Sequence, residues 1–297
     1  MKKRIIALVL VAMMTVFSLA SCGGSDNGES KGTIRLGSKA FTEAYLLSEI
    51  YANALEDNGY TVERIYDMAT DAIAPAIENG EIDVYPEYIG TALTDILGME
   101  MLTDKDEVYA AVSEAYAEKG ITWLNLTACE DKVGIVMRAD KAAELGIKTI
   151  SDLQKNADKV ILGDGVNFSV REDDLLRLNK FYGDFNFKDI VIMEWAQQYP
   201  SLDNGTVDVI PGLTTDPQLL ETDKYTLLEE DIPVWPPQYV APIVRTEVLE
   251  ANEGMADILN NVSAKITTEA MIEMIARVNN GEEYEAVAKD FYEKNCK

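Results

Sequence analysis

The residues best suited to ligand chemistry follow a motif that occurs twice in this chain. Both copies read Asn-Gly-x-x-Asp-Val-x-Pro and begin at Asn79 and Asn204. The first copy is followed by Thr91, and the second by Thr214 and Thr215. Threonine hydroxyls and the N–H groups of a loop can hold a polar solute by hydrogen bonds. The repetition predicts two similar units that each offer a loop to a shared site, the alternative being two unrelated turn–strand–loop units.

Residue types that common enzyme chemistry needs are missing. The chain contains no histidine, which is the commonest general base and the commonest metal ligand. Neither a Gly-x-Ser-x-Gly nucleophile elbow nor a phosphate-binding loop motif occurs. The chain has 52 acidic residues, so a carboxylate pair of the kind found in glycoside hydrolases stays open as an alternative. We expect no catalytic residues, no metal site and no cofactor.

Each copy of the motif places its loop after a short strand. Asn-Gly is a turn dipeptide that favours positive φ, and the β-type runs 82–85 and 207–210 follow it. We expect Pro86 and Pro211 to end these strands, because proline cannot donate to a β-ladder. In open α/β sheets, ligands bind beyond the carboxyl ends of strands. The two threonine loops are therefore expected at the binding site.

The order of the remaining elements predicts an α/β fold with two lobes. Apolar residues from Leu46 to Leu55 recur at helical spacing, and Ser151 with Gln154 reads as a capping box. The chain is expected to pass from the first lobe to the second before Val133 and to return to the first with a strand at 241–245. Lobe 1 is then predicted to be residues 33–130 plus 241–297, and lobe 2 residues 131–240. Two crossings make a hinge, with the ligand cleft between the lobes.

The N-terminal segment has the pattern of an export signal. Residues 1–21 join a basic start to an apolar stretch. Leu19-Ala20-Ser21-Cys22 looks like a bacterial lipobox, which predicts lipid attachment at Cys22 and a flexible tether over residues 22–32. An ordinary cleaved signal with a chance cysteine is the alternative. The predicted location is extracytoplasmic, at the cell membrane.

Charge and cysteine content narrow the choice of partners. The formal net charge is −26, and removal of residues 1–21, with three basic residues and no acids, makes it −29. This surface argues against nucleic acid, whose phosphates need Lys and Arg. Cys129 and Cys296 would occupy a compartment where disulfides form, but the sequence leaves their pairing open.

Several motifs, in order along nearly the whole chain, carry a family resemblance. They are Gly37-Ser-Lys-x-Phe-Thr-Glu43, the run from Asn79 to Leu93, Thr149-Ile-Ser-Asp-Leu153, Arg171-Glu-Asp, the run from Asn204 to Val209, Thr214-Thr-Asp216 and Pro236-Pro-x-Tyr-x-Ala-Pro242. The chain resembles the glycine betaine/choline/osmoprotectant substrate-binding proteins of ABC importers. The resemblance implies a periplasmic-binding-protein-like fold of type II and no enzymatic activity. It also implies a small-molecule solute, a membrane permease as partner, and a monomeric receptor.

The resemblance also implies ligand-binding residues. Family members hold a quaternary ammonium among tyrosine faces, and they hold a carboxylate with a lysine, an arginine and a threonine. Tyr88 and Tyr199 match positions of the aromatic cage, and Lys39, Thr91 and Arg171 match the anion-holding positions. An N-trimethyl group has no N–H to donate, so aromatic faces are suited to bind it. The predicted closure of the lobes adds Thr215 from the second loop.

The chain departs from the family pattern at one cage position. Glu130-Asp131-Lys132-Val133 stands where the family often has Asn-Asn-Thr-Tyr, so a cage tyrosine is missing at Val133. Asp131 is the residue expected to face a cation instead, and Trp195, Trp235 and Tyr239 are candidates to refill the wall. The identity of the solute stays open among choline, carnitine, glycine betaine, ergothioneine and a differently shaped cation. A lipoprotein that acts as a sensor without transport is a further alternative.

Overall fold

The computed structural model describes residues 31–165 and 167–297. The predicted signal segment, Cys22 and most of the tether lie outside the described residues. The strands are β1 Thr33–Lys39, β2 Thr61–Met68, β3 Val84–Tyr88, β4 Ile121–Trp123, β5 Val133–Arg138, β6 Ile161–Gly165, β7 Asp189–Met193, β8 Val209–Leu213, β9 Tyr225–Leu227 and β10 Val240–Arg245.

Helices connect and cover these strands. Those of the first part are α1 Thr42–Asp57, α2 Thr70–Glu78, α3 Ile89–Thr91, which runs on as a π-helix over Ala92–Ile96, and α4 Lys105–Ala117. Those of the middle part are α5 Ala139–Leu145, α6 Ile150–Asn156, α7 Leu175–Tyr182 and α8 Gln198–Asp203. The C-terminal helices are α9 Thr246–Ala251, α10 Met255–Ser263, α11 Thr268–Asn279 and α12 Tyr284–Asn295. No helix among the described residues is both long and apolar enough to cross a bilayer.

The strands form two five-stranded sheets with matching topology. The first sheet has the order β2-β1-β3-β10-β4, and the second has the order β7-β6-β8-β5-β9. In each sheet three strands are parallel, and one antiparallel strand joins them to the last. Each sheet carries buried apolar clusters packed against it. The predicted two-lobed α/β fold is confirmed, and we call the halves built on the first and second sheets lobe 1 and lobe 2.

The repeated motif forms the same structural unit in both lobes. Its aspartate lies just before the central strand, where Asp83 precedes β3 and Asp208 precedes β8. Each aspartate faces an arginine at the end of the antiparallel strand: Asp83 Oδ1 lies 3.4 Å from Arg245 Nη1, and Asp208 Oδ1 lies 3.7 Å from Arg138 Nη1. The N–H of each arginine donates to the backbone carbonyl of its aspartate. These aspartates therefore hold strands together, while the loops after β3 and β8 reach the cleft.

Two local predictions were wrong. Pro86 and Pro211 lie inside β3 and β8 rather than ending them. Pro86 is paired with Pro242 across an antiparallel ladder. Neither proline has an N–H, and a non-hydrogen-bonded pair of such a ladder requires none. The capping box also lies two residues earlier than predicted. Thr149 caps α6, and its hydroxyl accepts from the N–H of Asp152.

The two crossings between the lobes run side by side. Glu130 and Tyr239 form an antiparallel bridge, and the N–H of Asp131 donates to the carbonyl of Gln238 over 3.1 Å. On the other side, the hydroxyl of Thr214 donates to the carbonyl of Glu130 over 2.6 Å. The first crossing is thus tied both to the second crossing and to the loop after β8, which places Asp131 in the cleft between the lobes.

Cys129 and Cys296 are both free thiols in the structure. Cys129 is fully buried in the apolar cluster on one face of the first sheet, and Cys296 packs against the same cluster. Burial raises the pKa of both thiols, which keeps them protonated and unreactive. The question that the sequence left open is answered, since no disulfide joins them here.

Candidate ligand-binding site

A cavity of about 480 Å³ lies between the lobes, and we call it the acidic cavity. Lobe 1 lines it with Phe41, Thr42 and Glu43 from the start of α1 and with Ile275 and Asn279 from α11. From the first crossing and lobe 2 it is lined by Asp131, Trp195, Ala196, Tyr199, Pro200, Leu213, Thr215, Asp216, Pro217 and Gln218. Its size is in the range of small-molecule sites, and both halves of the molecule contribute to its wall.

Aromatic side chains come to this cavity from both lobes. Phe41 and Trp195 both line the cavity and are each 39% exposed, so neither is packed in the core. Tyr199 is held in place by two neighbours. Its hydroxyl donates to Asp216 Oδ2 over 2.7 Å, and its ring packs edge-on against Tyr225 with 5.2 Å between centroids. A cationic nitrogen between such faces would gain cation–π attraction without any N–H.

Three carboxylates also line the cavity. Glu43 comes from lobe 1, Asp131 from the first crossing and Asp216 from the loop after β8. The hydroxyl of Thr215 donates to Asp131 Oδ1 over 2.7 Å, and the N–H of Leu213 donates to Asp216 Oδ2 over 2.8 Å. The loop after β8 thus supplies a donor to Asp131, and the last residue of β8 supplies one to Asp216.

Burial makes these acids hard to ionise. Burial, reinforced by the nearby charge of Asp131, raises the pKa of Glu43 to about 8, although the hydrogen bond from Tyr88 and the neighbouring hydroxyl of Thr215 oppose the shift. The pKa of Asp131 is raised by burial and by Asp216, against the hydrogen bond from Thr215. The pKa of Asp216 is also raised by burial. A cation placed among these groups would reverse that effect, because it favours the charged form of each carboxyl.

A second cavity, of about 410 Å³, contains Arg171, and we call it the arginine cavity. It is lined by Thr94, Asp95 and Met101 from lobe 1 and by Lys132, Val133, Arg171, Asp173, Asp174, Trp235, Pro236 and Gln238. Its Gln238 is bonded through the backbone to Asp131 of the acidic cavity. The two cavities are therefore neighbours along one cleft.

The predicted ligand-binding residues do not all lie in one cavity. Asp131, Tyr199 and Thr215 are together in the wall of the acidic cavity, whereas Arg171 lies in the arginine cavity. The side chain of Arg171 is half exposed and makes ion pairs with Asp173 at 2.6 Å and Asp174 at 2.9 Å.

The other three predicted residues lie in neither wall. Lys39 is buried, forms an ion pair with Glu87, and stands 5.3 Å from the ring centroid of Tyr88. The hydroxyl of Tyr88 donates to Glu43 Oε1 over 2.6 Å. Thr91 donates its N–H to the side-chain oxygen of Gln238 over 3.1 Å.

Sequence reasoning missed Phe41, Glu43 and Asp216 as cavity residues. All three belong to motifs that carry the family resemblance, Gly37-Ser-Lys-x-Phe-Thr-Glu43 and Thr214-Thr-Asp216. The motif was the available signal, but it does not say which of its residues face the cleft. Of the three candidates for the missing cage wall, Trp195 lines the acidic cavity, Trp235 lines the arginine cavity, and Tyr239 lies in the second crossing beneath Lys105.

Comparison with known proteins gives a consistent family. A family model described as the substrate-binding domain of ABC-type glycine betaine transport systems matches residues 32–294. The chain is similar to a carnitine transport binding protein of Listeria monocytogenes, with 30% identity over 302 residues that cover 99% of this chain and 98% of that one. It is also similar to an ergothioneine transport permease/binding protein of Helicobacter pylori, with 26% identity over 99% of this chain but only 53% of the longer relative.

A solved structure agrees with the fold. The crystal structure of a glycine betaine/carnitine/choline ABC transporter protein superimposes with a TM-score of 0.82, covering 88% of this chain and 97% of that one. The sequence identity is 21%, so this likeness shows the architecture alone.

Proposed function

Since this chain belongs to the family of substrate-binding domains of ABC-type glycine betaine transport systems, we propose that it captures a small quaternary-ammonium or zwitterionic solute for a membrane permease. Membership makes it an extracytoplasmic substrate-binding protein rather than an enzyme. Its identity as a lipid-anchored receptor attached through Cys22 is part of the proposal. So are its monomeric state and its lack of a nucleic-acid partner.

One observation supports this function above the others. The acidic cavity has aromatic faces from both lobes, Phe41 on one side and Trp195 with Tyr199 on the other, beside three carboxylates. This is the chemistry that a cationic nitrogen without N–H groups requires. A surface that only docks a protein has no need of a cavity of about 480 Å³ lined by both lobes.

The proposed mechanism is closure of two lobes on the solute. We take residues 33–130 plus 241–297 as one moving body and residues 131–240 as the other. The paired crossings, which meet where Glu130 bridges Tyr239, would act as the hinge. A solute that touches both lobes only when they are shut favours the closed state by the free energy of those extra contacts.

Within the cavity we propose direct solute contacts for Asp131, Tyr199 and Thr215. For Lys39, Tyr88, Thr91 and Arg171, contact with the solute stays a prediction that requires the cleft to rearrange from the arrangement described above. The solute of this chain is drawn from the class that its relatives' names indicate: glycine betaine, carnitine, choline or ergothioneine.

A thermal-shift screen of the exported protein tests the proposal. The ligands are choline, glycine betaine, carnitine and ergothioneine at millimolar concentration. A ligand at about 100 times its dissociation constant stabilises the folded state by about 2.7 kcal/mol, which is an easily measured rise in melting temperature. No shift with any member of the panel, with isothermal calorimetry also silent, would end the proposal.

A further inference from the structure

The acidic cavity has an unbalanced charge. Three carboxylates line it, and no Lys or Arg is found among the described residues of its wall. The two predicted anion-binding cations are engaged elsewhere. Lys39 is paired with Glu87, and Arg171 is paired with Asp173 and Asp174 in the other cavity. A solute carboxylate in this cavity would find no cationic side chain in the wall to pair with.

Glu43 has an oxygen that is left without a partner. The residue is 3% exposed. Its Oε1 accepts from the hydroxyl of Tyr88, but its buried Oε2 has no hydrogen-bond partner among the described residues. The nearby hydroxyl of Thr215 has a single hydrogen, which it donates to Asp131. A buried polar atom without a partner costs free energy, so a bound molecule that offers a donor to Oε2 would recover it.

A metal ion is not the natural occupant. The described residues include no group of three or more His, Cys, Asp or Glu side chains arranged to hold a metal. The apolar and aromatic members of the wall, such as Phe41, Trp195 and Ile275, suit an organic cation, whose alkyl groups they can cover.

We propose that the acidic cavity takes a small organic cation that carries no carboxylate and that donates an O–H or N–H to Glu43. The proposal rests on the proposed function and narrows its solute class from "quaternary ammonium or zwitterion" to net cations with a donor. Glu43 becomes the residue that sets specificity, because it is the lobe 1 carboxylate that the solute must reach. Asp131 and Asp216 supply negative charge from the opposite side.

Proton balance agrees with this assignment. The groups that face Glu43 are Tyr88 from β3, Asp131 and Cys129 from the first crossing, and Thr215 from the loop after β8. None of them is a cation, and α11 contributes the uncharged Ile275 and Asn279 to the wall. The raised pKa of Glu43 means that it holds a proton at neutral pH when no solute is present. When a cation enters, that proton passes to solvent, and the charge of the filled cavity changes little.

The test uses three matched ligands and calorimetric titration at pH 7.5. Choline has a quaternary ammonium and a hydroxyl, tetramethylammonium has the cation without the hydroxyl, and glycine betaine has a carboxylate in place of the CH₂OH group. We expect choline to bind at least about tenfold more tightly than either of the others, because only choline offers both a net charge and a donor.

Variants then assign the effect to Glu43. Glu43→Gln keeps the shape and removes the charge, and it should weaken choline about tenfold or more while leaving glycine betaine unchanged or improved. Asp131→Asn provides a second variant if the first does not fold, and it should weaken choline in the same direction. Glu118→Gln, a change at an exposed residue directly after α4 and outside every described cavity, is the matched control and should bind as the parent does.

The outcomes separate the two proposals. Glycine betaine binding as tightly as choline, or Glu43→Gln leaving choline affinity unaltered, overturns the cation assignment and leaves the receptor function standing. Failure of these three ligands, and also of carnitine and ergothioneine, overturns the receptor function and the cation assignment together. Choline selectivity that is lost in Glu43→Gln and kept in Glu118→Gln supports both.

Discussion

The hydroxyl of Tyr88, a predicted cage residue on β3, donates to Oε1 of Glu43, on the first turn of α1, over 2.6 Å. Both side chains are almost fully buried. This bond lies within lobe 1, and it fixes the carboxyl of Glu43, a residue in the wall of the acidic cavity. Tyr88 thus affects the cavity by holding the side chain of Glu43 in place, independently of any contact between its ring and a solute.

Tyr88→Phe is expected to lower stability by about 1–3 kcal/mol, because Glu43 Oε1 then loses its donor while it stays buried. Urea denaturation with an unchanged m-value would measure this as a lower midpoint. Tyr45→Phe is the matched control, because the hydroxyl of Tyr45 bonds to Asp67 at the exposed surface, where such a loss is small. Equal effects of the two changes would contradict the buried role of the Tyr88 hydroxyl.

The solute-free protein should become less stable as pH rises, because of the buried acids in the acidic cavity. The pKa of Glu43 is about 8 in the folded protein, against an ordinary value of 4.5. Between those two values the folded state binds the proton that the unfolded state has released, so stability decreases as pH rises across that window. The raised pKa values of Asp131 and Asp216 act in the same direction.

Melting curves of the parent and Glu43→Gln between pH 5 and pH 8.5 would check this prediction. The variant has no proton to lose at position 43, so its melting temperature should decline less steeply than that of the parent. Acids that do not interact with Glu43 titrate alike in both proteins and cancel in the difference. Parallel curves would mean that Glu43 is not the buried acid responsible.

Tyr199 should contribute to solute binding through its ring face. Tyr199→Ala removes both the face and its apolar area, and it is expected to weaken choline binding by about 1–3 kcal/mol. Tyr199→Phe keeps the ring packed against Tyr225 and loses only the bond to Asp216, so it should bind within a few-fold of the parent. Calorimetry on both variants decides the point, and a loss in Tyr199→Phe as large as in Tyr199→Ala would assign the effect to the hydroxyl.

The duplicated unit could be predicted from sequence because its cause is local. Asn-Gly turns, short β runs and an aspartate at a fixed spacing recur in both copies, and the structure gives both the same place at the centre of a sheet. The strand-ending role of Pro86 could not be read in the same way. Whether a proline ends a strand depends on its partner across the ladder, and Pro242 is 156 residues away along the chain.

The acidic character of the site could not be predicted from the sequence for a similar reason. Glu43 is an acid in the first turn of a helix, where carboxylates are favoured by the helix dipole and are usually solvated. Its burial depends on Tyr88 from β3 and on the crossing at Asp131. Likewise, the contact between Thr215 and Asp131 joins residues 84 positions apart, and the pairing of β5 with β8 brings them together.

Lys39 should matter to folding before it matters to binding. Its ammonium pairs with Glu87, which is fully buried and also accepts from the hydroxyl of Tyr85 over 2.9 Å. Lys39→Met would leave a buried carboxylate without its counter-charge and is expected to cost about 3–5 kcal/mol in urea denaturation. Adding Glu87→Gln to that variant should recover part of the loss. A double variant no more stable than Lys39→Met would show that the pair does not account for the cost.

Arg171→Ala tests which of the two cavities binds the cation. Arg171 lines the arginine cavity, is half exposed and is already paired with two aspartates, and choline has no carboxylate for it to hold. We expect choline affinity to stay within about twofold of the parent, since breaking exposed ion pairs has small effects. Trp195→Ala, which removes an aromatic face of the acidic cavity, should weaken choline by about 1 kcal/mol or more. The reverse pattern, with Arg171→Ala the damaging change, would move the solute into the arginine cavity and revive the anion-holding role that the family resemblance implies.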